Sequence, residues 1–229
     1  MMEAPAFLLP RPEYDLSFEK ADAFEDLWRS TGHGGVIDYH LPYPKWQFLT
    51  YLCDRHNLVL HGSQDNSIDI VEPRQAHDAR AYSNQRAIYA TTDGIWVIYF
   101  AIVNRKKCKQ MSLFNSCLQI RLTADQLSDP LYFFSISQPA KLQKAWGEGM
   151  VYILPRQRFE RENAQIIRGA EVIFPHWISK IPAAPAARLA VGPQDFPFLE
   201  QIHGHNDEKL NRLAAADPNG FPWPDALES

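Results

Sequence analysis

Cysteine is scarce in this chain: three residues in 229, Cys53, Cys108 and Cys117, with no CxxC spacing. An odd and sparse set excludes a disulfide framework and reads as reduced thiols in a reducing compartment. Each is expected to be a small buried hydrophobe rather than a nucleophile. A long apolar run is missing too. The longest, Ile95 to Val103, spans nine residues, against roughly twenty for a membrane-spanning helix. Met1 to Tyr14 carries Glu3 and no basic leader, which argues against a secretory signal. A cytoplasmic protein with no membrane partner is the expectation. An excess of positive charge is lacking as well. Lys and Arg total 23 against 27 Asp and Glu, for a formal charge of -4, so any nucleic acid must meet a local basic patch. No internal repeat or low-complexity tract is visible.

What is present is a globular composition, 45% apolar and 22% charged, in a length suited to one large domain. The pattern predicts an N-terminal helical part over about 15–56, a core over about 57–203 and a C-terminal helical tail over about 204–229. In the first part, Phe18, Ala21, Phe24, Leu27 and Trp28 mark a helix from Ser17 to Arg29, capped by Asp15 or Ser17. A second helix is expected from Pro44 to Arg55. A short strand, Asn57 to Leu60, is expected to stop at His61-Gly62-Ser63. The long polar segment Gln64 to Arg86 holds one strand-like piece, Ile68 to Val71, and strand character returns over Ala87 to Ala90. Thr92 to Lys107 reads as a helix, because Asp93 and Arg105-Lys106-Lys107 complement its dipole. Strands are expected at Cys117–Leu122, Leu131–Ser137, Met150–Leu154, Ala170–Phe174 and Arg188–Val191. Asp195 is expected to cap a short helix, Phe196 to His203, and a tail helix covers Asp207 to Ala215. Trp223 is expected near the surface of the core. The sum is a single-domain α+β fold with helices early and strands late.

Chemistry concentrates at His61-Gly62-Ser63 and Tyr89. A strand end fixes the imidazole, and glycine lets a ligand approach the backbone N–H and C=O without an intervening Cβ. A primary amide such as the nicotinamide carboxamide needs that donor–acceptor pair. Tyr89, on a second short strand, offers an aromatic face for a flat ring.

Leu58-Val59-Leu60-His61-Gly62-Ser63 and Ile88-Tyr89-Ala90-Thr91 resemble the first two motifs of the ADP-ribosyltransferase fold, in its diphtheria-toxin and poly(ADP-ribose) polymerase-like branch. The two motifs cover about ten residues. The resemblance implies a mixed or antiparallel split β-sheet core and NAD as substrate. It further implies that His61 binds the ribose hydroxyls, that Gly62 holds the carboxamide, that Tyr89 stacks on nicotinamide, and that Ser63 counts with them among the NAD-binding residues. The branch usually adds a glutamate on a third strand. Gly169-Ala170-Glu171-Val172-Ile173-Phe174 is similar to that context and makes Glu171 the candidate, with Glu160 and Glu162 as competitors. Such a carboxylate stabilises the oxocarbenium-like state and orients or deprotonates the acceptor.

Singly, each residue has a plainer reading: a hydrogen-bonded histidine, a core aromatic, a solvated carboxylate. Ser63 lacks the Gly-x-Ser-x-Gly context of an activated nucleophile. His203-Gly204-His205 with Asp207 reads as a solvated turn rather than a metal site. Arg105-Lys106-Lys107 with Lys109 reads as a helix terminus rather than a phosphate contact. Arg74, Arg80 and Arg86 either hold the NAD pyrophosphate or keep a loop soluble. Three functions remain open: an NAD-dependent ADP-ribosyltransferase acting on nucleic acid, protein or a small molecule; an NAD-using RNA 2′-phosphotransferase; and a non-catalytic binding or partner protein on the same scaffold.

Overall fold

The structure is a computed structural model that describes residues 6–76, 82, 84–217 and 220–228. The chain opens with β1 (Leu9–Pro10), α1 (Phe18–Ser30), α2 (Lys45–Arg55), β2 (Leu58–Ser63), β3 (Arg74–Gln75), β4 (Arg86–Thr91) and α3 (Gly94–Ile102). Next come β5 (Leu113–Thr123), β6 (Gln126–Leu127), β7 (Leu131–Ser137), α4 (Gln138–Leu142), β8 (Gly149–Pro155) and β9 (Glu160–Arg161). It closes with β10 (Gln165–Ile167), β11 (Ala170–Ile173), β12 (His176–Ser179), β13 (Ala187–Val191), β14 (His203–His205), α5 (Asp207–Ala216) and β15 (Leu227–Glu228).

These elements form an α+β fold with its long helices early. One sheet runs β10-β11-β5-β7-β14-β15, with β1 on β7 and β6 on β5. It is mixed, since β14 pairs with β7 in parallel while its other described pairings are antiparallel. The second sheet runs β13-β8-β2-β4-β12-β9, with β3 on β4, and its ladders are antiparallel.

Helix α3 sits between the sheets. Its apolar run is buried nearly all round, as expected of a helix hydrophobic on every side. On one side it meets β2 and β8. On the other, the Tyr99 hydroxyl donates to the Ser135 carbonyl at 2.9 Å and the Tyr99 ring packs 4.9 Å from Phe134. Strand alternation divides the second sheet between two cores. Leu60, Val151 and Ile153 join the α1–α3 cluster, while Val59, Ile88, Ala90, Met150, Tyr152 and Leu154 form a smaller cluster on the opposite face.

Several expectations meet the structure closely. Ser17, not Asp15, caps α1, accepting from Lys20 N at 3.3 Å. Leu131–Ser137 is a buried strand along its whole length, and α5 begins at Asp207. Others are corrected. The second helix starts at Lys45, with Pro44 in the capping position. Helix α3 ends at Ile102, short of Arg105-Lys106-Lys107, because the Asn104 N–H is claimed by the Ala145 carbonyl and Val103 bridges to Trp146. Ile68 to Val71 is not a strand; Val71 alone bridges, to Ala183. The helix expected over Phe196 to His203 is replaced by single turns at Pro193–Asp195 and Leu199–Gln201 and by β14. Pro197 interrupts that stretch, and Asp195 is turned to the Gly192 N–H and to Lys45 instead of a helix start. No helix among the described residues is long and apolar enough to cross a membrane.

Candidate functional site

The first motif is strand, not strand end. β2 continues through His61, Gly62 and Ser63, pairing with β8 from Leu58↔Pro155 to Ser63↔Met150. Its other edge behaves differently. β2 and β4 pair only at Leu60↔Thr91. Continued in register, Gly62 would face Tyr89; instead the strands part and the imidazole of His61 enters the space between them. His61 Nδ1 lies 2.7 Å from the Tyr89 carbonyl oxygen. A carbonyl only accepts, so Nδ1 carries the proton and donates, which leaves the Nε2 lone pair of the neutral ring as an acceptor. Burial holds the His61 pKa below its ordinary 6.5, against the opposing effect of the bond to Tyr89.

The two side chains leave this notch on opposite faces. Leu60 and Thr91 are cross-strand neighbours on the α3 face, so alternation puts Tyr89 on that face and His61 on the other. Contacts agree. His61 lies 6.4 Å from the Tyr152 ring, while Tyr89 lies 5.6 Å from His176, which in turn touches Trp96 of α3 at 5.6 Å. The two rings therefore do not share one cavity: they meet through the backbone of Tyr89. The Tyr89 hydroxyl is tied into its own segment, donating to the Gln85 carbonyl at 2.7 Å and accepting from the Gln85 N–H at 3.0 Å.

Gly62 has a packing reason to be glycine. A Cβ there would stand 2.5 Å from the Val97 carbonyl oxygen and 2.9 Å from the Ala101 nitrogen, both backbone atoms of α3. The same close approach brings Phe100, 37% exposed, beside Gly62, and sets Trp96 and Phe100 5.7 Å apart on one helix face. Phe100 is thus an open aromatic ring next to the first motif. Sequence reasoning missed it because an unbroken apolar run gives no sign of which residue surfaces.

The three glutamates separate clearly. Glu171 lies on β11 of the first sheet, and its carboxylate takes the Arg121 Nε–H at 2.8 Å, with both side chains about one-third exposed. The structure does not bring it to His61 or Tyr89. Glu160 is exposed on β9. Glu162 is buried, 4% exposed, and its Oε2 lies 3.0 Å from His176 Nδ1. His176 opens β12, the strand beside β4. That strand was not expected: it is four residues long and begins directly after Pro175. A carboxylate therefore does reach the Tyr89 side of the notch, through an imidazole.

The remaining candidates fall elsewhere. Arg74 and Arg86 are exposed on β3 and β4, and Arg80 lies outside the described residues. His203-Gly204-His205 is a strand rather than a solvated turn. His205 is fully buried, with Nδ1 2.8 Å from Ser135 Oγ and Nε2 2.7 Å from Ser112 Oγ and 3.1 Å from Asp207 Oδ1. No cluster of metal-ligating side chains occurs among the described residues. Cys53 and Cys117 are buried, and burial raises both thiol pKa values; Cys108 is half-buried and also free.

Burial lowers the pKa of His203 and His205 as it does that of His61. The folded chain thus binds fewer protons than the unfolded chain as pH falls through 6.5 and below. Their contribution to stability is complete above that value and is lost on acidification. The urea midpoint is expected to be lower at pH 5.5 than at pH 7.5. Asp54 and Asp93, whose pKa values are raised by burial, act in the opposite sense. A midpoint that does not fall between those two pH values contradicts the histidine assignment.

No protein-family model, curated protein or solved structure matches this chain.

Proposed function

We propose that the chain binds NAD at the notch between β2 and β4 and acts as an NAD-dependent ADP-ribosyltransferase, with the acceptor class open among nucleic acid, protein and small molecule. The observation that carries this reading is the parting of the two strands after Leu60↔Thr91, with the His61 ring set into the opening. The polar inventory fits such a ligand. On the side facing β4, the backbone of Gly62 lies beyond the last β2–β4 pairing and can serve a carboxamide, while the Ser63 carbonyl is turned to β8. His61 Nε2, on the opposite face of the sheet from the Tyr89 ring, can accept a hydrogen bond from a ribose hydroxyl, and its orientation is fixed by the bond from Nδ1. Phe100 and Tyr89 supply aromatic surface for a flat ring. Excluding water around the ribose strengthens each of these contacts.

A second reading is binding without turnover, a partner protein on the same scaffold. The placement of Glu171 in the other sheet, paired with Arg121, favours it.

Both readings require NAD binding. At ten times its Kd, NAD stabilises by about 1.4 kcal/mol, which raises Tm by roughly 3–5 °C for a chain of this size. His61→Ala is expected to abolish the shift. An unchanged melting curve at millimolar NAD removes both readings; a shift without nicotinamide release selects the second.

A further inference from the structure

We propose that His176 is the general base of this site and that Glu162 is its positioning residue; this rests on the transferase reading above. The pair is built by long-range packing. β12 lies against β4, so His176 is the cross-strand neighbour of Thr91 and its ring packs on Tyr89 at 5.6 Å and 33°. Tyr82 meets the imidazole at 5.2 Å and Trp96 at 5.6 Å, both edge-on. An aromatic collar therefore surrounds the ring, and 10% of its side-chain surface is left open to solvent.

Glu162 closes the far side. Its Oε2 takes the Nδ1–H of His176 at 3.0 Å, its Oε1 takes the Gln165 amide at 2.5 Å, and its backbone N–H donates to the His176 carbonyl at 2.9 Å. Two polar bonds to one residue fix the imidazole plane and commit Nδ1 as donor. The neutral ring then bears its lone pair on Nε2. A base held by a buried acid and set against the ring that lines the proposed site is the arrangement a proton acceptor needs. Among the described residues, the titratable groups facing His176 are Glu162 from the segment after β9, Tyr82, and Tyr89 from β4; α3 contributes Trp96, which carries no charge.

The step balances without a further reagent. The hydroxyl oxygen of an acceptor, or of water, bonds to the ribose anomeric carbon while the bond from that carbon to the nicotinamide nitrogen breaks. Nicotinamide leaves with the electron pair as a neutral ring, and the hydroxyl proton passes to His176 Nε2. The Glu162 carboxylate stabilises the resulting imidazolium.

The test compares wild type, His176→Gln, Glu162→Gln and Glu171→Gln for the NAD-induced melting shift and for nicotinamide release across pH. The expected result is that His176→Gln keeps the shift and loses at least about 100-fold in release. Glu162→Gln loses about 10-fold, and the acidic limb of its pH profile moves to lower pH, because the imidazolium has lost its counter-charge. A merely structural pair would not move that limb. Wild-type release with His176→Gln release undiminished, or release lost only in Glu171→Gln, overturns the inference and leaves the transferase reading in place. NAD binding without release overturns the inference and leaves the binding reading. No melting shift in wild type overturns all three. Should His176→Gln fail to fold, the pH profile of Glu162→Gln decides: an unmoved limb overturns the proposal.

Discussion

Alanine at Gly62 or at Gly149 is expected to cost about 3 kcal/mol each, lowering Tm by roughly 6–12 °C. The reason is the closeness of α3 to the sheet. At Gly62 the added carbon meets the Val97 carbonyl oxygen at 2.5 Å and the Ala101 nitrogen at 2.9 Å. At Gly149 it meets the Ala101 carbonyl oxygen closer still, with the Ser63 carbonyl oxygen 3.0 Å away. These are backbone atoms, so no rotamer change relieves the clash and the helix itself must move. It cannot move freely, since Tyr99 is bonded to Ser135 on the opposite sheet. Gly32→Ala is the control, because nothing stands within 4 Å of a Cβ there. Urea denaturation of the three variants checks the claim. A loss below about 0.5 kcal/mol at Gly62 or Gly149, within the range of ordinary surface substitutions, contradicts it.

Asp93→Ala should have a comparable effect, about 3 kcal/mol, from two sources. Asp93 caps α3, its Oδ1 accepting from Ile95 N at 3.0 Å and Trp96 N at 2.7 Å; loss of such a cap costs about 1 kcal/mol. Its Oδ2 accepts from the Tyr132 hydroxyl at 2.7 Å, within the fully buried core between the sheets. Leaving that hydroxyl without its partner adds about 1–3 kcal/mol. Burial raises the Asp93 pKa, so its charge is itself costly in place. Asp93→Asn keeps an acceptor for the helix N–H groups and offers an amide to the Tyr132 oxygen. It is therefore expected to recover most of the loss, as read by urea melts of both variants. Equal destabilisation by Asn and Ala contradicts this account.

The sequence made the backbone elements visible where local pattern and burial agree. Leu131–Ser137 reads as strand because every position is apolar or small, and every position is buried. α1 and α5 carry caps at their starts, Ser17 and Asn206, that act within their own turns. Elements set by distant contacts were less legible. Nothing near Asn104 shows that Ala145 will take its N–H and end α3 early. The apolar-to-polar change at His61 suggests a strand end, yet β8 supplies partners through Ser63. At the site, His61 and Tyr89 were identifiable and do share a hydrogen bond, but through a main-chain carbonyl that no side-chain pattern records. Choosing among three glutamates by local context pointed to Glu171. Only the path of β12 across β4 reveals that Glu162, fourteen residues before His176, is the one linked to the Tyr89 face.

β14 is an interior strand, placed between β7 and β15. A cut before His203 would strip β7 of a neighbour along Ser135 to Ser137 and uncover backbone donors and acceptors beside Phe133 and Phe134. It would also remove the His205 and Asp207 partners of the Ser112, Ser135 and Ser137 hydroxyls. A bare, aromatic-rich sheet margin of that kind templates self-association. The 27 residues from His203 onward thus act as a guard against aggregation, and a shortened chain should precipitate before it unfolds.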